Sequence, residues 1–283
     1  MIWLVLALLF WAVAWRANVA LARGQRSDRR SVRVLVPALF GVTLLVLWEA
    51  LVHAFGVSPA ILPPPTAVAQ TFAASTGILW QDFQQTVLKG ALRGYLIGAA
   101  AAFAFAIMID RSQFLTRGLL PIGNFVAALP IVGVAPILVS WFGFDWQSKA
   151  AVVVVMVFFP ILVNTVQGLR DTDAMQRDLM KTYGAGYLQT LVKLRIPAAM
   201  PFVFNGLKIA ATLALIGAIV AEYFGSPTRG MGFRISTGVG SLSIDLVWAE
   251  IAVAAVAGTA FYGLVAWIER RVTFWHPSQQ GKS

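Results

Sequence analysis

Seven apolar runs, separated by shorter stretches that hold most of the charge, dominate this sequence. Six of them are 19 to 24 residues long, the length needed to cross the hydrocarbon core of a bilayer, where backbone groups must pair within a helix. Because 59% of the 283 residues are hydrophobic and 12% are charged, a soluble helical protein is excluded. We predict an all-α polytopic membrane protein. The runs are 1–15, 34–57, 91–109, 119–141, 150–168, 201–223 and 247–268.

Lysine and arginine residues lie on alternate sides of these runs. The segments 16–33, 110–118, 169–200 and 269–283 together hold 16 of the 22 bases, and the first of them alone has six arginines. Cytoplasmic loops are enriched in bases, so we place these four segments in the cytoplasm and 58–90, 142–149 and 224–246 outside. This bias also accounts for the net charge of +10, which would otherwise suggest a nucleic-acid partner. We predict no nucleic-acid partner.

The first run, 1–15, allows two interpretations. Ala-Leu-Ala at 20–22 resembles a signal-peptide cleavage site, but no base precedes the apolar run and the bases follow it. We therefore favour an extra first helix with its N-terminus outside over a cleaved signal. The count is then seven spans.

Small residues recur every four positions at the start of the third run. Gly90, Gly94, Gly98, Ala102 and Ala106 form a ridge that lets another helix backbone approach closely. We predict helix packing along this ridge, with a narrow solute path beside it as the second interpretation.

Prolines and acids within the runs are the candidates for a translocation path. Proline interrupts the helical hydrogen-bond ladder, which suits either a path-lining helix or a simple kink. Acids inside a membrane are candidate functional residues, although Glu49 and Glu222 would also fit a position at the membrane interface or a structural pairing with Arg93 or Lys208. The path candidates are Glu49, Pro130, Pro136, Asn164 and Glu222.

The two longer outer segments are less regular. Three prolines at 63–65 end a helix, and the residues after them predict either a helix at the membrane interface, with Trp80 in the aromatic belt, or a polar connector. The glycines of 224–246 suit tight turns, and Arg229 with Arg234 would attract an anion.

The segment 169–200 is long and polar for a connection between two spans. Its pattern predicts two short helices, the first capped by Asp171 or Thr172, with Gly184 and Gly186 between them and Pro197 closing the segment. The second piece has one apolar face, formed by Leu188, Leu191, Val192 and Ile196. Such a loop either caps the helix bundle or docks a partner.

The spacing within this loop resembles that of ABC importer permeases. Asp178-Leu179-Met180, three residues, Gly184, nine residues and then Leu194-Arg195-Ile196-Pro197 match the family pattern Glu-Ala-Ala, three residues, Gly, nine residues, Ile-x-Leu-Pro. Leu179 and Met180 are bulkier than the alanines of that pattern. The wider resemblance, over about 34–275, is to permeases of the nitrate, sulfonate and taurine type. It rests on "LWEALVHAFGVSPAILPPPTAV", "FFPILVNTVQGLRDTD", "GLKIAATLALIGAIVAEYFG" and "RGMGFRI".

The resemblance implies a permease domain at 34–275, after an extra segment 1–33 and before a tail at 276–283. It implies a homodimer in the bacterial inner membrane, two ATP-binding subunits, a solute-binding protein outside and uptake by alternating access. It also implies that 169–200 is the coupling loop, which sits in a groove of the ATPase. Its candidate docking residues are Asp178, Lys181, Tyr183, Gly184, Leu194, Ile196 and Pro197.

We expect no catalysis and no cofactor in this chain, with ATP and Mg²⁺ used by the partner subunit. Gly-Lys-Ser at 281–283 resembles part of a P-loop, but His276 stands where the first glycine of that motif is required. With two histidines and no cysteine, we expect no metal site. A stand-alone secondary carrier or channel is the alternative function, and a membrane enzyme ranks below both.

Overall fold

The computed structural model describes residues 2–23, 29–112, 114, 118, 121, 123, 125–126, 129–225 and 228–275. These residues are helical for the most part, and none of those described lies in a strand. The described helices are α1 (Ile2–Arg23), α2 (Arg30–Phe55), α3 (Pro65–Ala74), α4 (Thr76–Phe83), the π-helix π1 (Gln84–Ala91), α5 (Leu92–Asp110), α6 (Ile131–Phe142), α7 (Trp146–Arg170), α8 (Ala174–Thr182), α9 (Tyr187–Thr190), the π-helix π2 (Leu191–Arg195), α10 (Ile196–Gly225), α11 (Met231–Gly240) and α12 (Ile244–Val272).

Six helical runs in the described residues are long and apolar enough to cross a membrane, which confirms the all-α polytopic prediction. They are Val5–Arg23, Ser31–Phe55, Thr76–Asp110, Trp146–Arg170, Tyr187–Gly225 and Ile244–Val272. Within the predicted run 119–141 the continuous helix that the structure describes is Ile131–Phe142, because many of the residues before it lie outside the described part of the chain.

Several predicted boundaries are wrong because polar residues continue a helix instead of ending it. The first helix extends to Arg23, well beyond residue 15. The run predicted at 91–109 begins at Thr76, so the predicted interfacial helix ends at Ala74 and its remainder belongs to a span. The run predicted at 201–223 begins at Tyr187. Asp82 and Thr86 lie within the extended run and are buried, so they require no break in it.

The chain divides into two units, Met1–Gly77 with Thr237–Glu250 and Ile78–Ser236 with Ile251–Ser283. In the first unit α1 and α3 both pack against α2. The rings of Trp48 and Trp248 lie 4.7 Å apart, and the Thr71 hydroxyl donates to Asp245 at 2.6 Å. Gly56 ends α2 in the left-handed conformation, with φ of 61°.

In the second unit α7 is the central helix and packs against α5, α6 and α10. From Gly94 onward the predicted small-residue ridge lies on α5 and forms the contact of α5 with α7. A Cβ built on Gly94 would lie 2.5 Å from Cβ of Val153, and one built on Gly98 would overlap the side chain of Val157. Ala102 and Ala106 continue the ridge and are fully buried. The prediction of helix packing along this ridge is confirmed.

The segment 224–246, which we predict to lie outside, contains a helix where turns were predicted. Met231–Gly240 is α11, and two of its glycines serve close packing: a Cβ on Gly232 would overlap the Ile219 carbonyl oxygen, and one on Gly238 would lie 2.6 Å from Val247 Cγ2. Gly230, just before the helix, has φ of +117°, a conformation that favours glycine.

Candidate functional site

The first helix of the 169–200 loop begins at a capping box. Asp173 is the N-cap of α8: its carboxylate accepts from the Met175 backbone N–H, and the Gln176 side chain accepts from the Asp173 N–H. The prediction of Asp171 or Thr172 as the cap is wrong. Asp171 instead ends α7, and Thr172 accepts hydrogen bonds from the Arg177 guanidinium through its carbonyl and hydroxyl oxygens.

Gly184 turns the chain between the two loop helices, as predicted. Its φ is +68°, and its N–H donates to the Lys181 carbonyl at 2.8 Å while the Ala185 N–H donates to the Met180 carbonyl at 3.0 Å. A side chain at this position would meet no described atom within 4 Å, so the backbone conformation requires the glycine and packing within the chain does not. The open space leaves room for another molecule to approach the backbone.

The second loop helix continues into the next span. α9 passes through π2 into α10, and Pro197 lies in the first turn of α10. The prediction that Pro197 closes the segment is therefore wrong. Proline has no N–H to donate, and the wide π-turn just before it interrupts the α-helical ladder at this point, with the Ile196 N–H donating to the Leu191 carbonyl. As a result the loop and a membrane span form one helical run, Tyr187–Gly225.

Large apolar side chains are exposed on both loop helices. Met175 and Leu179 on α8 and Tyr183, its C-cap, follow one another at intervals of four residues and are 78%, 55% and 79% exposed. On the second helix Leu188 and Val192 are exposed as predicted. We call these five residues the apolar loop face.

Other members of the predicted apolar face point into the protein. Leu191 is buried, and Ile196 is half-buried against the core of the second unit. Leu194 and Pro197 are also half-buried. The predicted face therefore divides, because α9 and π2 present one side to the core and the other outward.

Two of the charged residues of α8 pair with each other. The Lys181 ammonium lies 3.0 Å from the Asp178 carboxylate, and both side chains are at least 70% exposed. An exposed pair of this kind contributes at most about 1 kcal/mol to stability. Both groups are therefore free to rearrange against a partner at little cost.

The loop is fastened to the spans by an ion pair that the sequence did not reveal. The Arg195 guanidinium donates to both carboxylate oxygens of Asp110, at 2.6 and 2.7 Å, and also to the Leu169 carbonyl. The Tyr187 hydroxyl donates to the same carboxylate at 3.1 Å. No sequence signal pairs these residues, because Asp110 and Arg195 are 85 positions apart.

A model of the "binding-protein-dependent transport system inner membrane component" family matches residues 94–274, which include this loop and the spans around it. The chain belongs to that family. It is therefore the membrane-spanning permease subunit of an ABC importer, a multi-pass inner-membrane component that works with an ATPase and a solute-binding protein.

Three relatives show how far the similarity extends. The chain is 31% identical to the formylaminopyrimidine transport permease ThiX of Halalkalibacterium halodurans, over 89% of this chain and all of ThiX. It is 32% identical to the riboflavin transport permease RibX of Chloroflexus aurantiacus, over 83% and 88% of the two chains. It is 29% identical to the taurine transport permease TauC of Escherichia coli, over 84% and 88%.

Elsewhere in the permease, a buried charged network surrounds Glu222. The Thr86 hydroxyl donates to Glu222 Oε2 at 2.6 Å, and the Gly232 N–H donates to the same oxygen at 3.2 Å. The fully buried Lys149 donates to the carbonyls of Phe144 and Gly225.

Asp82 binds the start of α11 in the same network. Its carboxylate accepts from the Gly230 N–H at 2.7 Å and from Arg234 Nε at 2.9 Å. Arg234 was predicted to attract an anion, and in the structure the carboxylate of Asp82 already occupies that role. Asp82 and Lys149 were assigned to outer loops because hydropathy cannot detect a polar side chain that is buried beside an opposite charge.

Neither intramembrane acid has the partner expected from the sequence. Glu49, in the first unit, accepts from His53 at 2.9 Å and from the N–H and hydroxyl of Thr66 at 3.0 and 2.8 Å. Arg93 stacks over Trp146 at 5.0 Å, and Lys208 pairs with Glu269 at 2.7 Å. The predicted pairing of either acid with Arg93 or Lys208 is wrong.

The remaining path candidates lie on α6 and α7. Pro130 is the N-cap of α6 and Pro136 lies within it. Asn164 donates to the Pro160 carbonyl at 2.8 Å and accepts from the exposed Asn205 amide at 3.0 Å. This amide pair places hydrogen-bonding groups on two apolar helices.

Proposed function

We propose that two copies of this chain form the transmembrane pathway of an ABC importer in the bacterial inner membrane. Two ATP-binding subunits bind at the 169–200 loops, and a solute-binding protein delivers solute from outside. The partner subunits bind ATP and Mg²⁺, and this chain holds no cofactor. Binding and hydrolysis of ATP bias the spans between outward-open and inward-open states.

The apolar loop face is the observation that carries this proposal. Five large apolar side chains are exposed on a segment that also holds charged, solvated residues. Large apolar side chains exposed at this density along one short segment indicate an interaction surface. A groove of the ATPase would remove them from water, while the left-handed turn at Gly184 lets the partner approach the backbone.

Each predicted loop residue has a part in this docking. Tyr183 supplies exposed apolar area beside Gly184, and the exposed Asp178 and Lys181 pair with charges of the partner. Leu194, Ile196 and Pro197 are half-buried and hold the loop helix on the spans. The first group therefore contacts the ATPase, and the second group positions it.

For the solute path we propose the amide pair of Asn164 and Asn205, with α6 and its prolines beside it. Hydrogen-bonding side chains on apolar spans are suited to a polar solute, and Asn205 is exposed in the single chain. Glu49 and Glu222 already accept two or more hydrogen bonds from neighbouring helices, which favours a structural role for both.

The transported solute belongs to the class of small polar organic molecules or oxyanions: a sulfonate, nitrate or a vitamin precursor. Support comes from relatives that are named for formylaminopyrimidine, riboflavin and taurine transport. All three are polar organic molecules, and taurine carries a sulfonate group.

A pull-down tests the docking role of the loop. Tagged chain is solubilised from membranes of its own host, and the proteins that remain bound are identified by mass spectrometry. We expect an ABC ATP-binding subunit to co-purify with the parent chain. Gly184→Arg combines backbone strain with bulk in the space left for the partner, and it should reduce the retained ATPase by roughly tenfold or more.

Gly184→Asn is the matched control, because asparagine tolerates the left-handed conformation better than arginine does and is much smaller. It should retain the ATPase, and both variants should insert into the membrane in equal amounts. Normal ATPase recruitment and uptake by Gly184→Arg would contradict the docking role. A parent chain that purifies alone and moves solute into liposomes without ATP would contradict the proposed function as a whole.

A further inference from the structure

Arg195 and Asp110 form a largely buried, two-pronged ion pair in the second unit. The guanidinium makes two parallel hydrogen bonds to the carboxylate, at 2.6 and 2.7 Å. The side chain of Asp110 is 3% exposed and that of Arg195 is 15% exposed. A fork-shaped pair that is shielded from water in this way holds its two partners at a fixed distance and angle.

This pair joins three membrane spans at the base of the loop. Asp110 is the last residue of α5, and Arg195 is the last residue of π2, directly before α10. The same guanidinium donates to the carbonyl of Leu169, in the last turn of α7, at 3.0 and 2.8 Å. One side chain thus links the ends of α5 and α7 to the helix that enters α10.

The pair is also linked to the loop helix itself. The Tyr187 hydroxyl, at the first residue of α9, donates to Asp110 at 3.1 Å, and the Arg111 guanidinium lies 5.4 Å from the Tyr187 ring centre. The exposed Leu188 and Val192 lie on the same helical run, between Tyr187 and Arg195. A force on these apolar side chains therefore acts on a segment that is held to α5 at both ends.

We propose that the Arg195–Asp110 pair is the joint through which movement of the docked loop reaches α5 and α7. The proposal rests on the proposed function, since it requires an ATPase at the loop. Movement of the loop passes to α10 along one continuous helix, and α7 is joined to the loop only by the short turn at 171–173. The chain does not connect α5 to the loop, so α5 needs a lateral link. Arg195 supplies that link, so it is a positioning residue that acts on the spans and not a contact for the ATPase.

The ion pair of Lys208 and Glu269 is a matched control for loss of stability. It joins α10 to α12 at 2.7 Å, and its side chains are 19% and 9% exposed, close to the values of the joint. Neither side chain is hydrogen-bonded or ion-paired to the 169–200 loop in the part of the chain that the structure describes. A variant of this pair should therefore weaken the fold without disconnecting the loop.

The experiment compares Arg195→Ala, Arg195→Lys and Lys208→Ala in the complex purified with its ATPase and placed in nanodiscs. The chain has no cysteine, so Trp141→Cys, at an exposed position on α6, gives it one reactive thiol. The rate of labelling by a maleimide is measured without nucleotide and with ATP plus vanadate. Retained ATPase and melting temperature are measured on the same samples.

In the parent we expect nucleotide to change the labelling rate at Trp141→Cys by about threefold or more. Arg195→Ala should retain the ATPase to within about twofold but lose the nucleotide response. Arg195→Lys keeps the positive charge but cannot make the two parallel hydrogen bonds to Asp110, so it should give an intermediate response. Lys208→Ala should lower the melting temperature about as much as Arg195→Ala and keep the full response.

Several outcomes would contradict the proposed role of the Arg195–Asp110 pair. A nucleotide response in Arg195→Ala equal to that of the parent would do so, as would an equal loss of response in Lys208→Ala. Loss of the ATPase from Arg195→Ala would make Arg195 a docking residue instead. If the parent retains the ATPase but nucleotide changes the labelling rate neither at Trp141→Cys nor at a second probe, Phe142→Cys, the spans do not move with the loop and the proposed role of the pair is wrong. A parent chain that retains no ATPase would contradict the proposed function itself.

Discussion

Replacement of Gly94 by alanine tests the packing of α5 on α7. The added Cβ would lie 2.5 Å from Cβ and 2.7 Å from Cγ1 of Val153, and 2.9 Å from the Ala150 carbonyl oxygen. Ordinary carbon–carbon contact lies near 3.5–4.0 Å, so the two helices must separate by roughly 1 Å. Two of the three clashing atoms belong to a stiff β-branched side chain and the third to the backbone, so no flexible group can move aside.

Overpacking of this kind costs about 1–3 kcal/mol. The separation would also loosen the contacts of Ala102 and Ala106 on the same ridge, which favours the upper half of that range. We therefore expect Gly94→Ala to lose about 2 kcal/mol, and the melting temperature of the detergent-solubilised permease to fall by roughly 4–8 °C.

A double variant of Gly94→Ala with Gly98→Ala tests whether both glycines pack at the same contact between α5 and α7. A Cβ on Gly98 would overlap Val157 Cγ2 on the same helix, so one separation of α5 from α7 relieves both clashes. The double variant should therefore be less destabilised than the sum of the single variants. Gly263→Ala is the control, because no described atom lies within 4 Å of its Cβ, and it should melt at or above the parent temperature. Losses of stability that are strictly additive, or equal melting temperatures for Gly94→Ala and Gly263→Ala, would contradict close packing of α5 on α7 along the ridge.

Three further substitutions test the buried network and the loop. Lys149→Met leaves two backbone carbonyls without a donor and removes a cation near Glu222, so we expect a loss of about 3–5 kcal/mol, and an unchanged melting curve would contradict this. Thr86→Val removes the hydroxyl that bridges Glu222 and the Met231 N–H, which should lower stability by about 2 kcal/mol, while Thr86→Ser should melt near the parent. Asp173→Ala removes the cap of α8 at a cost of about 1 kcal/mol. Faster amide exchange confined to 174–182 would support this cap, and unchanged exchange there would contradict it.

Apolar run length and the small-residue ridge predicted the architecture well. Both depend on neighbours along one helix, which the sequence displays directly. Helix ends were predicted less well, because Asp82 and Lys89 read as loop residues although the helix continues through them. At Asp173 the cap lay within two residues of the predicted positions, since three candidate capping residues follow one another and local pattern does not choose among them.

The division of the apolar loop face shows the same limit at the candidate site. The spacing predicted that Leu188, Leu191, Val192 and Ile196 share one apolar face. In the structure Leu191 and Ile196 instead pack against the core of the second unit. The sequence identifies which residues share a short helix, but the packing of that helix against the spans decides which side is left for a partner. The docking role of the exposed side stays a prediction.

A bundle of membrane helices with a polar loop of ABC permease spacing can be predicted from the sequence, because hydrophobicity and motif spacing are properties of consecutive residues. Which polar residues hold the bundle together depends on how the helices pack in three dimensions. Asp110 meets Arg195 across 85 positions, and Asp82 meets Arg234 across 152. A charge can be buried only where its partner arrives from elsewhere in the fold, so its position along the chain says little about whether it faces water, lipid or another charge.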